Sequence, residues 1–138
     1  MSVLSKNWKK RPNWKLSLFM TNKTLAFAEE VLEVSFGFDI DAIWYNLESR
    51  RPDLSHNEKV ETFCYILMVA MEKGVLKIAS DGVFLKGSPS EMSEEFKSSF
   101  PVSEDKMSDV LFCLNSDGDF WTPGGGVWIC NDGDEIWT

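Results

Sequence analysis

Only one histidine, His56, occurs in 138 residues, and the three cysteines at 64, 113 and 130 form no Cys-x-x-Cys pair. So few nitrogen and sulfur donors leave a structural zinc site without enough ligands. An odd number of cysteines argues against the disulfide framework of a small secreted domain, so free thiols in a reducing compartment are expected. No run approaches the roughly 18 apolar residues a membrane span needs. The apolar stretch Leu16 to Met20 behind the N-terminal bases is too short for a signal-peptide core. A cytoplasmic protein is therefore the expectation. The chain also has no internal repeat and no low-complexity tract.

Several chemistries fail for want of one element. His56 sits at a helix start with no nucleophile or orienting carboxylate in a recognised local pattern, so it carries no catalytic assignment. Asn115, Asp117 and Asp119 alternate like the start of a calcium loop. Phe120 then stands where a glycine is required, and Gly126 where the bidentate glutamate belongs, so a capped turn is expected instead. Gly124-Gly125-Gly126 lacks the Gly-Lys-Ser/Thr ending of a phosphate loop and precedes a strand, so it reads as a flexible lead into the last hairpin. Acids are numerous, but nothing marks two of them as desolvated and opposed, as a carboxylate-pair hydrolase requires. Catalytic residues, metal ligands and cofactors are all assigned as none.

What is present is a core and a charge. Hydrophobic residues make up 43% of the chain and aromatics 13%, too apolar for disorder. One domain of this length can form a core without staples. The net charge is −8, which repels nucleic acid and anionic membrane and attracts basic proteins. Residues 1–28 hold six bases and no acid, so the remaining 110 carry all 22 acids against eight bases. With Met20 standing just before a helix start, that asymmetry suggests a division into residues 1–19 and a body, 20–138. Residues 1–19 are expected either as an extension from a start site placed too early or as a genuine basic arm.

The local pattern predicts the elements. Thr21 or Asn22 caps a helix to about Ser35, and Gly37 breaks it. Ile40, Ile43, Trp44 and Leu47 stripe a second helix from about Asp39 to Ser49, stopped by Pro52. Ser55 and Glu58 form a capping box for a third, striped by Val60, Phe63, Cys64, Leu67, Met68 and Met71. Gly74 ends it. Asp81-Gly82 then joins two short strands in a hairpin. Pro89 opens a fourth helix, with Met92 and Phe96 inward, ended by Phe100-Pro101. One more helical turn is expected in 102–109, a buried strand at Val110 to Leu114, a turn at 115–119 and a loop at 122–126. A closing hairpin, Val127–Cys130 and Asp134–Thr138, completes an α+β fold: N-terminal helices packed on a small antiparallel sheet.

Trp121, Trp128 and Trp137 crowd the last 18 residues among acids. Strand alternation sets Trp128 opposite Val127 and Ile129, and Trp137 opposite Ile136. One face of the hairpin is thus expected to present aromatics beside acids, as interfaces do; filling a small core is the competing reading.

Together these segments resemble a family of small bacterial proteins catalogued as domain of unknown function 596, over Leu32 to Thr138. The resemblance rests on Asp41-Ala42-Ile43-Trp44-Tyr45, Arg50-Arg51-Pro52-Asp53-Leu54 and Gly82-Val83-Phe84-Leu85-Lys86-Gly87. It continues through Phe100-Pro101, Gly126-Val127-Trp128-Ile129 and Asp134-Glu135-Ile136-Trp137-Thr138. It implies a role among the immunity genes of polymorphic-toxin and contact-dependent growth-inhibition systems: binding and blocking one cognate toxin domain. A nuclease-type toxin has a basic active surface, to which an acidic inhibitor is steered. The residues expected to face that partner are Glu91, Glu94, Glu95, Asp117, Asp119, Trp121, Asp132, Asp134 and Glu135. No direct nucleic-acid or membrane contact is expected, and the chain is a monomer or homodimer. The alternatives are a non-catalytic adaptor or regulatory protein without a toxin partner, as a monomer or homodimer, and an unrecognised hydrolase.

Overall fold

A computed structural model describes residues 22–138. The expected arm at 1–19 and the cap at Thr21 lie outside the described residues. The elements run α1 (Asn22–Ser35), α2 (Asp41–Arg50), α3 (His56–Glu72), β1 (Leu76–Ser80), β2 (Val83–Phe84), α4 (Pro89–Ser99), a 3₁₀ turn (Glu104–Lys106), β3 (Gly125–Ile129) and β4 (Glu135–Trp137). All strand pairs are antiparallel, in the order β2-β1-β3-β4. The fold is α+β, with the helices towards the N-terminal side.

Local chemistry sets most of the boundaries. Ser55 accepts from the Glu58 amide while Glu58 accepts from the Ser55 amide, and Ser88 with Glu91 repeats the arrangement ahead of α4. Each box satisfies two amides that a helix start leaves orphaned. The β1–β2 turn holds Asp81 at φ 53° and Gly82 at φ 78°, the left-handed pair that lets the strands twist together. α3 is the central strut. Its stripe is wider than the sequence suggests, because Ile66, Val69 and Ala70 are buried as well, with α1, α2 and α4 packed around it.

Two expectations fail. Residues 110–114 form no strand: Val110 and Leu111 are 82% and 51% exposed, and only Phe112 of the first three turns inward. Phe112 joins Trp44, Phe63, Phe100 and Trp121 in an aromatic cluster whose closest ring centroids are 4.3 Å apart. One buried ring anchors an irregular segment, which is also joined by single bridges at Met107–Asn115 and Leu114–Phe120 and by the Trp121 amide and indole, donating to the Cys113 and Phe112 carbonyls. The triglycine is not a flexible lead either. A β-carbon on Gly124 would stand 2.5 Å from the Ala79 carbonyl oxygen, and one on Gly126 2.5 Å from Ile40 Cγ2. These glycines let β3 approach β1 and α2 closely, and Gly125 and Gly126 belong to the strand.

Candidate functional site

The turn from α1 to α2 is pinned from inside. The Trp128 indole is fully buried and donates to the Phe38 carbonyl at 2.7 Å, across 90 residues of sequence. Gly37 takes φ 91°, and Ser35, buried at the end of α1, accepts from the Asn46 side chain of α2 at 3.0 Å. With its carbonyl held inward, Phe38 leaves its ring 63% exposed. Asp39 follows, and Asp41 opens α2, where a carboxylate opposes the positive helix end. Tyr45, one turn on, is 53% exposed.

Asp39 and Asp41 form a ridge between two concavities. One, about 510 Å³, runs along Asp81, Leu111, Phe120 and the Gly124–Gly126 wall. The other, about 580 Å³, is walled by Val34, Phe38, Ala42 and Tyr45. Phe120 is 78% exposed. The ion pairs formed among the described residues join Arg50 to Glu30, Arg51 to Asp53, Lys59 to Glu48, Lys73 to Glu29 and Lys97 to Glu61. None includes Asp39, Asp41 or Asp81. Partial burial, reinforced by the neighbouring Asp39 charge, raises the Asp41 carboxyl above its ordinary range. Burial, and then the charges of Asp41 and Glu48, raise the Tyr45 phenol. An uncompensated negative ridge set among exposed rings favours a cationic, partly apolar partner.

The residues expected from sequence to face a partner fall in three other places. Glu91, Glu94, Glu95 and one edge of Trp121 line a shallow depression beside α4. Glu91 is already engaged in the capping box. Trp121 is only 7% exposed and its indole donates to the Phe112 carbonyl at 2.6 Å, so it is a core residue and not an exposed anchor. Asp117 and Asp119 sit in a turn where their amides donate to the Asn115 side chain, the capped turn expected there. Asp132, Asp134 and Glu135 are exposed at the β3–β4 hairpin, where Asp132 accepts from the Asp134 amide and Glu135 from the Trp137 indole.

The hairpin does not present its tryptophans together. Register pairs Val127 with Trp137 and Trp128 with Ile136, so Trp128 faces the core and Trp137 the outer face. There Trp137 stacks on Phe84 at 5.2 Å, reaching over the small residues Ala79 and Gly125. That contact ties both edge strands together. Sequence reasoning missed Phe38, Asp39, Asp41, Tyr45, Asp81, Leu111 and Phe120 as a group. Phe38 and Phe120, each beside an aspartate in a turn, were the available signal.

His56 is half-buried, not solvent-exposed: it packs on Trp44 and Phe100, and Nε2 lies 2.7 Å from the Pro101 carbonyl, to which it can only donate. Burial pushes the Cys64 thiol up to about 12, far from the thiolate a nucleophile needs. All three cysteines are free. Among the described residues no group of three or more His, Cys, Asp or Glu could hold a metal ion, and no helix is long and apolar enough to cross a membrane. A further groove, about 730 Å³, lies between α1, α3 and α4 over Phe27, Leu54, Tyr65 and Met68.

Comparison with known proteins adds a family match over part of the chain. Residues 71–138 match the family described as "Protein of unknown function, DUF596". The match takes in the β-sheet and α4 but not the earlier motifs at 41–45 and 50–54. A solved structure of an uncharacterized protein conserved in bacteria, from Neisseria meningitidis, superposes with a TM-score of 0.64 at 19% identity, over 83% of this chain and 89% of that one. That similarity extends the fold likeness into the N-terminal helices. No curated protein matches the chain.

Proposed function

We propose that this chain binds a cognate, basic bacterial toxin domain and neutralises it by protein–protein contact, without catalysing a reaction. The observation that carries this reading is the Asp39–Asp41 ridge, without an ion pair among the described residues and flanked by exposed Phe38, Tyr45, Leu111 and Phe120. Large exposed aromatics supply binding energy when a partner covers them, and unpaired carboxylates steer a basic partner and reject an acidic one. The net charge of −8 extends that steering over the whole surface. An acidic protein seated on a nuclease-type toxin competes with the nucleic acid for the same basic cleft.

An affinity pull-down from the source cells at moderate and high salt, read by mass spectrometry, tests this. The expected result is one stoichiometric basic partner, lethal when expressed alone and harmless beside this chain. Recovery of no partner from cells that express the neighbouring genes contradicts it. Self-association alone, seen as a concentration-dependent mass, favours the adaptor reading instead.

A further inference from the structure

The two concavities differ in their walls but share the Asp39–Asp41 ridge. On one side the apolar surface is Leu111, Phe120 and the glycine wall; on the other it is Val34, Phe38 and Tyr45. Either groove alone could take an apolar side chain from almost any protein. The ridge between them is selective, because its carboxylates have no cation of their own among the described residues. A Lys or Arg side chain suits it, since its aliphatic stem covers apolar surface while its charged end reaches a carboxylate. Asp81, across the first groove, extends the same sign of charge.

We infer that the occupant of this surface is a segment of the partner bearing a basic residue between two large apolar ones. The basic side chain sits on the Asp39–Asp41 ridge, and the apolar side chains fill the grooves on either side. This rests on the reading that the chain works by binding a basic protein, and it adds the place and the recognition pattern. The acidic hairpin at Asp132–Glu135 and the α4 depression at Glu94 and Glu95 lack this alternation: neither is divided into two apolar lobes by a carboxylate pair.

The test is selection of a phage-displayed library of random linear peptides on the full chain, followed by titration of the enriched peptides as synthetic molecules. The expected consensus is apolar–basic–apolar. Binding should fall by roughly tenfold in the Asp39→Asn, Asp41→Asn double variant and by a comparable factor in Phe120→Ala. Asp39 and Phe120 are exposed and Asp41 is half-buried at a helix start where asparagine is isosteric, so the variants keep the fold, checked by an unchanged circular dichroism spectrum. A basic consensus that instead loses binding on Asp132→Asn with Glu135→Gln, or on Glu94→Gln with Glu95→Gln, overturns the site and leaves a basic partner standing. A consensus without basic residues, or no enrichment, overturns both.

Discussion

Asp41 and Glu91 are two carboxylates at helix starts with opposite energetics. Glu91 accepts the Ser88 amide, which holds its carboxyl below the ordinary range; Glu58 is held in the same way by Ser55. A lowered folded-state value contributes stability that is present at neutral pH and is lost as pH falls through that value. Asp41 is raised by burial and by Asp39, so its ionisation disfavours the folded state, and stability falls as pH rises through its titration. Asp41→Asn should therefore raise Tm at neutral pH, with the gain shrinking as pH falls through the carboxylate range. Thermal melts across that range check this. A residue that destabilises the free chain while strengthening association fits a site kept for a partner. An unchanged or lowered Tm at neutral pH contradicts the assignment.

Among elements, those set by neighbouring residues were legible in the sequence. α2, α3 and α4, the Ser55–Glu58 capping box and the Asp81-Gly82 hairpin follow from spacing within a few positions. Ser88→Ala should cost about 1 kcal/mol, the usual worth of such a cap, read as a shift in the denaturation midpoint with unchanged slope. The illegible parts depend on partners distant in sequence. Val110 to Leu114 has the composition of a buried strand, yet only Phe112 finds a place in the aromatic cluster between α2 and α4. The triglycine looked like a linker because nothing local reveals that Ala79 and Ile40 press against it. Gly126→Ala forces a β-carbon to within 2.5 Å of Ile40 and 3.1 Å of Leu76, and overpacking of this kind costs about 1–3 kcal/mol. A Gly126→Ala variant with an unchanged denaturation midpoint would refute the close approach.

For the whole molecule, the proposed partner surface was illegible for the same reason. Its residues come from the α1–α2 turn, the β1–β2 turn and the irregular 110–124 segment, brought together by the Trp128 anchor and the aromatic cluster. Sequence reasoning instead followed acid density along the chain, to α4 and the final hairpin, where acids already cap, turn or simply face solvent. Net charge could be read without the fold; which acids lack partners among the described residues could not. The central claim is that the unpaired ridge and its rings bring a basic toxin domain onto this chain. The most direct measurement is the association rate of the partner recovered by pull-down, at low and moderate salt, with the native chain and with Asp39→Asn, Asp41→Asn, Asp81→Asn combined. The account predicts a slower association for the variant and a shallower dependence of the rate on salt. Identical rates and identical salt dependence for the two proteins would contradict it.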